Sequence, residues 1–329
     1  MPELFRRVNN HGIGCQEWIR GPVNPIVAHM IHRDTWEYLA FRGGLGLLRT
    51  LPNATGRSAL AGLARGLGRW RGLRRDLVLA QLAMVYPDLD SARLSDLADA
   101  VYEHLARTAA EILLEPPAEL MDRCRTRSGW EVIDRALAGG RGAIVATGHL
   151  GNFELGGRLL AARYPLLDVV KPQRNALFEE YLRRQRNHHG IATVTMDRAA
   201  RTVLAHLAAG GLVSLLVDQD AGAAGLPMDF LGRPASTWPG AARFALHTGC
   251  PVIPMAIHRE GDGHILEVGE VIGVAKAPAE PARVGALMGR ISQAVELFIH
   301  RYPEQWFWVH RRWKGAVSAR QAALPREKP

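Results

Sequence analysis

The chain has 329 residues, 47% hydrophobic and 22% charged, the balance of an ordinary folded protein and not of a disordered one. Its formal charge of +9 calls for an acidic partner: nucleic acid, an anionic membrane surface, or an acidic protein or phosphorylated substrate. Three scattered cysteines (Cys15, Cys124, Cys250) exclude a disulfide framework or CxxC zinc site and suit a reducing cytosol, and no stretch has the ~18 apolar residues of a membrane span.

The basic excess is concentrated early. Residues 1–75 hold twelve arginines against Glu3, Glu17, Asp34 and Glu37, and the bland reading of that excess is a solvated basic face. The first thirty residues are polar and broken by Gly and Pro, which is not a signal-peptide pattern. Residues 34–115 read as helical. Apolar positions recur at three- and four-residue intervals from Ser58 to Tyr86, with arginines in many gaps. A second helix is predicted from about Ser91, as N-cap, to Leu114, before the Pro116-Pro117 stop. Such a basic amphipathic region packs on a core or lies at a membrane interface.

From Val132 the pattern changes to short apolar runs between helical ones. Strands are predicted at Ala143–Thr147, Leu167–Val170, Leu212–Val217, Val252–His258 and Ile265–Val271. This alternation predicts an α/β fold, a mostly parallel central sheet flanked by helices, with an N-terminal helical region leaning on it. The expected organisation is a helical, membrane-associating region over 1–120, a catalytic domain over 121–315 and a polar tail over 316–329.

No GxSxG, HExxH, GxxxxGK[ST] or GxGxxG is present, so serine-hydrolase, zinc-protease and P-loop readings lose weight. Attention falls on AIVATGHLGNFELGGRLL, residues 143–160, where an apolar run ends at Thr147 and presents His149, with Glu154 five residues on. Five residues along an ideal helix turn about 140°, so the two can meet only if His149 sits in the turn before the helix. Gly148 and Gly151 permit that turn. A carboxylate on one ring nitrogen would make the other a general base for a hydroxyl, while the bland reading is a buried histidine satisfied by an acid. The C-terminal edge of an α/β sheet is where ligands bind, which favours function.

His149-Leu-Gly-Asn152-Phe-Glu154 resembles the HX4D/E motif of the lysophospholipid acyltransferase superfamily. The HxGNxE form is similar to that of the late acyltransferases of lipid A biosynthesis (lauroyl and myristoyl transferases) and of relatives that acylate phosphatidylinositol mannosides. Further blocks agree in order over about residues 70–314. They are RRDLVLAQLAMVYP, with Gln81 where Asn is usual; KPQRNALFEEYLRRQRNHHG, with Arg174, Asn175, Arg186 and Gly190; VDQDAGAAGLPMDFLGRPAST, with Asp218, Gln219 and Asp220; and YPEQWFWVHRRWK. Together they are highly specific.

The resemblance implies an acyltransferase. His149 would deprotonate an acceptor hydroxyl that attacks the thioester of an acyl carrier protein or coenzyme A, with Glu154 orienting the ring and no covalent acyl-enzyme. Asn152, Arg174, Asn175, Arg186, Asp218 and Asp220 are the implied substrate-binding residues. Arg174 would hold either the oxyanion or a phosphate. Asp218 and Asp220 would accept from acceptor hydroxyls, or serve as caps and turns. Neither metal nor cofactor is implied. The acceptor would be an anionic glycolipid, a lipid A precursor or a phosphatidylinositol mannoside, reached from the cytoplasmic face of a bacterial inner membrane. Many family members begin with a hydrophobic anchor helix; none is read here, so attachment is expected to be peripheral. The tail cluster Trp306, Phe307, Trp308, His310, Arg311, Arg312, Trp313 and Lys314 reads equally as an interfacial belt or a packed core edge. The rivals are a thioesterase or lipid hydrolase with the same dyad, and a basic module binding membrane or nucleic acid, which leaves the ordered blocks unexplained.

Overall fold

In a computed structural model, described for residues 25–50, 74–126 and 129–314 and at isolated positions between 51 and 73, four helices precede the main sheet. They are α1 (Pro25–Arg49), α2 (Arg75–Val85), α3 (Ser91–Leu114) and α4 (Pro117–Asp122). Most of the helical stretch expected from Ser58, and the polar tail from 316, lie outside the described residues. That stretch does not run unbroken to Tyr86, because Arg74 takes a left-handed φ of 60° and α2 starts after it. The span of α3 matches its expectation; the cap is Asp90 instead of Ser91, its carboxylate accepting from Arg93 N. The helix ends before Pro116, whose ring disfavours helical geometry in Glu115.

Seven strands form one sheet in the order β1-β9-β8-β2-β5-β3-β4. They are β1 (Cys124–Thr126), β2 (Ala143–Thr147), β3 (Leu166–Val170), β4 (Ile191–Thr195), β5 (Leu212–Leu216), β8 (Val252–Glu260) and β9 (Gly263–Val268). Five run parallel, while β9 is antiparallel to β8 and carries β1 parallel to itself. The connecting helices are α5 (Trp130–Leu137), α6 (Phe153–Ala161), α7 (Ala176–His188), α8 (Ala199–Ala208) and α9 (Gly240–Thr248). A separate hairpin, β6 (Leu226–Phe230) with β7 (Arg233–Thr237), and a long helix α10 (Pro281–Arg301) complete the order. The expected mostly parallel, helix-flanked sheet is what forms. Four strands were not anticipated, because β1 is three residues long and β4, β6 and β7 mix polar residues into their runs.

Every residue of β2 is buried, as a central strand covered on both faces must be. On one face lie α2, α3 and α10, whose Val284, Leu287, Met288, Ile291, Val295 and Phe298 form a 3.6-period stripe in the same core as Ile144 and Val213. Leu155 and Leu160 of α6 pack with Ala143 and Val145 on the other face. The C-terminal tryptophans belong to the core: Trp306, Trp308 and Trp313 are all buried, with edge-on and tilted ring contacts. At 150–250 Å² of ring surface each, burial stabilises by on the order of 4 kcal/mol per tryptophan before entropy. The cluster is thus a packed core edge, but its arginines are not both solvated as that reading expected: Arg311 is exposed and Arg312 fully buried.

Candidate active site

The sheet's register builds the site. β2 and β5 pair in parallel with Thr147 opposite Leu216. Two residues further along each chain come His149 and Asp218, so the pairing sets them side by side at the C-terminal edge. His149 Nδ1 lies 2.8 Å from Asp218 Oδ1, and the His149 backbone N–H donates to Asp218 Oδ2 at 2.6 Å. The Trp306 indole also donates to Oδ2, at 2.7 Å. Gly148 makes the approach possible, since a Cβ there would stand 3.0 Å from the carboxylate. Burial opposes ionisation of Asp218, but the His149 ring and the donors from His149 and Trp306 outweigh it and hold the carboxyl well below its usual range. Nδ1–H bonded to a carboxylate leaves Nε2 as the proton acceptor, the arrangement of a general base. The imidazole is partly exposed, between the rings of Phe153 and Phe307, and among the described residues the only side chain hydrogen-bonded at its Nε2 is the Gln219 amide, 3.2 Å away.

This corrects the pairing read from the motif. Glu154 does not bond His149; it forms a two-pronged ion pair with Arg186 of α7, one arm at 3.2 Å and the other shorter. The reason is rotational: Glu154 points from the first turn of α6 toward β3 and α7, away from the turn that carries His149. Asp168 of β3 lies beside this pair with one oxygen shut off from solvent and unpartnered, and burial, then the Glu154 charge, push its carboxyl up to about 7. Asp218 likewise has both oxygens committed within the protein, so it faces the histidine and not an acceptor hydroxyl.

The other expected residues serve the scaffold or stand apart. Asn152 caps α6, accepting from Leu155 N at 3.1 Å, and donates to the buried Glu111 at 3.1 Å. Asn175 caps α7 through Leu177 N and Phe178 N, and its amide reaches Asp34 O of α1. Asp220 Oδ2 accepts from Gly222 N at 3.1 Å and meets Lys314 Nζ at 2.7 Å, the turn role weighed for it. Arg174 is exposed in the loop after β3, two strands from β2, with no hydrogen bond or ion pair among the described residues.

Sequence reasoning missed the frame that holds the His149 turn. Glu111 of α3 accepts from Arg259 through both terminal guanidinium nitrogens and lies 3.1 Å from His264. The C-terminal segment pairs with the turn directly: Gly151 N donates to Gln305 O at 2.9 Å and Phe307 N to His149 O at 3.0 Å. Gln81 clamps that segment, donating to Trp308 O and His310 O and accepting from Arg312 N. Arg312 is buried over Phe230 and donates to Gln219 O, Ser236 O and Thr237 Oγ1. The available signal was Gln81 itself, a polar residue inside an apolar helix stripe.

The family model described as bacterial lipid A biosynthesis acyltransferase matches residues 26–315. A phosphatidylinositol mannoside acyltransferase of Mycolicibacterium smegmatis is 27% identical over 303 residues, 87% of this chain and 94% of that protein. A lipid A biosynthesis lauroyltransferase of Escherichia coli is 23% identical over 290 residues, with the same two coverages. The lipid A biosynthesis palmitoleoyltransferase of the same organism is 28% identical over 191 residues, 56% of this chain and 60% of that protein. With its sheet, its turn and nearly its whole described length accounted for in this way, the chain belongs to the bacterial lipid A biosynthesis acyltransferase family and is an acyltransferase.

Proposed function

We propose that the enzyme moves a fatty acyl chain from the thioester of an acyl carrier protein or coenzyme A to a sugar hydroxyl of an anionic glycolipid. The observation that carries the reading is the His149–Asp218 pair with Nε2 turned outward. His149 Nε2 takes the proton of the acceptor hydroxyl as its oxygen attacks the thioester carbonyl. The tetrahedral intermediate collapses with loss of the thiolate, which recovers the proton from His149. Asp218 fixes the tautomer and stabilises the imidazolium; no cofactor enters the step. Arg174, exposed and unpaired among the described residues, is the cation for an acceptor phosphate or for the oxyanion. Glu154, Asn152, Asn175 and Arg186 act by holding the two helices that begin at the site.

A lipid A precursor is the acceptor class the family description favours. The mycobacterial relatives, acyltransferases of phosphatidylinositol mannosides aligned over more of the chain than the palmitoleoyltransferase, favour a mannosylated phospholipid as a second reading. Peripheral attachment to the cytoplasmic face of the inner membrane fits α1, which exposes Trp36, Leu39 and Leu47 beside Arg33, Arg42 and Arg49. No helix of the described residues is long and apolar enough to cross a membrane.

The test is product analysis. Labelled acyl-carrier-protein and coenzyme A thioesters are offered with lipid A precursor or with phosphatidylinositol mannoside in vesicles. Acylated glycolipid, lost in His149→Ala, supports the reading. Free fatty acid alone, with every acceptor, would make the protein a thioesterase and sink it.

A further inference from the structure

The Gln219 carboxamide stands where the acceptor hydroxyl has to be. Its Nε2 lies 3.2 Å from His149 Nε2. Because Nδ1–H is committed to Asp218, the other ring nitrogen presents a lone pair, and only the amide N–H of Gln219 can bond it. The backbone that carries Gln219 is held on both sides and at its own carbonyl. Asp218 is fixed by His149 and Trp306, the Gln219 carbonyl accepts from Arg312 at 3.2 Å, and Asp220 N donates to His310 Nε2 at 3.0 Å. The main chain is therefore pinned, and the side chain is half-buried at the end of it. Among the described residues, that side chain has no polar partner except the base.

We propose that Gln219 is a cap on the general base, which keeps His149 from activating water on a bound thioester until an acceptor hydroxyl displaces the amide. The inference rests on the acyl-transfer reading above and adds to it a control over which nucleophile reacts. A thioester held near an uncovered imidazole is open to hydrolysis: His149 Nε2 takes a proton from water, the hydroxide oxygen adds to the carbonyl, the C–S bond breaks, and the departing thiolate recovers the proton. The products are free fatty acid and thiol, with the acyl group wasted. A tethered amide already in position outcompetes loose water for Nε2. An acceptor bound through its own headgroup and sugar is likewise pre-positioned, and needs to overcome only one neutral hydrogen bond. Such a bond shifts an equilibrium by roughly five- to tenfold.

The test uses the full-length enzyme and two substrate mixtures: palmitoyl-coenzyme A alone, and palmitoyl-coenzyme A with the glycolipid acceptor in vesicles. Gln219→Leu keeps similar bulk without a donor, and Gln219→Met is the second variant should leucine disturb the fold. With no acceptor, release of free palmitate is expected to rise about five- to tenfold over wild type, with the melting temperature essentially unchanged. In the mixture, the ratio of transfer to hydrolysis is expected to fall by a similar factor. The double variant His149→Ala/Gln219→Leu is expected to lose the added hydrolysis, since that route runs through the base. Hydrolysis that stays flat in the well-folded variants, or falls together with transfer, overturns the cap; the latter result would make Gln219 an oxyanion donor. Failure of the acyl-transfer reading looks different: wild type itself would release palmitate and acylate no lipid, whatever Gln219 carries.

Discussion

Trp306 donates its indole N–H to Asp218 Oδ2 at 2.7 Å, so the aromatic C-terminal segment and the carboxylate that faces His149 are one unit. Removing the carboxylate charge should be far costlier than removing the indole. Asp218→Asn cannot hold His149 in the Nδ1–H tautomer while also accepting from Trp306 and the His149 amide. Its kcat is expected to fall about 1,000- to 10,000-fold, with the donor KM nearly unchanged. Trp306→Phe keeps the ring and loses one hydrogen bond to a charge, for an expected loss on the order of tenfold. Steady-state kinetics with the donor varied, beside a thermal melt, checks both. Comparable losses in the two variants would mean the carboxylate is not the partner that matters.

Glu154 and Arg186 give an opposite signature. Their pair is partly buried, about 16% and 17% exposed, so Glu154→Gln strands a guanidinium and is expected to destabilise by about 2 kcal/mol. Adding Arg186→Met removes the stranded charge and should restore most of the melting temperature and a measurable part of the activity. A double variant as stable as wild type yet wholly inactive would return Glu154 to the chemistry.

Much of this was legible because parallel strands covered on both faces announce themselves as unbroken apolar runs. The five strands read from the sequence supply the sheet's centre, and the histidine was located from the strand-end turn alone. Its partner was not. Glu154 is near His149 in sequence, but its helix turns it away; Asp218 is 69 residues off and arrives only through the β2–β5 register. Strand order is a tertiary fact, set by which apolar faces find one another. The frame under the turn escaped for the same reason: Glu111, Arg259 and His264 come from three elements, and a buried ionic cluster leaves no local period.

Gly151 tests how closely the turn is fitted. It has a φ of +61°, and a Cβ there would run into the Ile257 carbonyl of β8. Gly151→Ala therefore meets both left-handed strain and a backbone clash that no rotamer relieves. An expected loss of about 3 kcal/mol, read by urea unfolding, should come with a displaced His149 and activity below a hundredth of wild type. An alanine variant of normal stability would show that the turn has room to spare.

Acid stability depends on three groups, one buried and two partly buried, that do not all pull one way. Burial, reinforced by the Arg259 charge, lowers His104 to about 4, and burial lowers His310 to about 4. Both take up a proton near 6.5 once unfolded. Between those values the unfolded chain binds more protons, so each histidine makes the fold less stable as pH falls. Asp168 runs the other way. Raised to about 7 when folded against 3.8 when not, it binds its proton in the native state first and strengthens the fold as pH falls through the same window. Two against one leaves a net loss of roughly 1.4 kcal/mol per pH unit from about 6.5 to 4. Below that, Glu111 takes over. Despite burial, its bonds to His264 and Arg259 hold its carboxyl under the usual range, and the stability they supply is lost as pH falls through the folded value. Urea midpoints from pH 7.5 to 4 should therefore decline in wild type, decline more steeply in Asp168→Asn, and flatten in His104→Gln, where one histidine and one aspartate nearly cancel. A wild-type midpoint that stays level across the window, or an Asp168→Asn slope no steeper than wild type, would show that these side chains do not titrate as their burial requires.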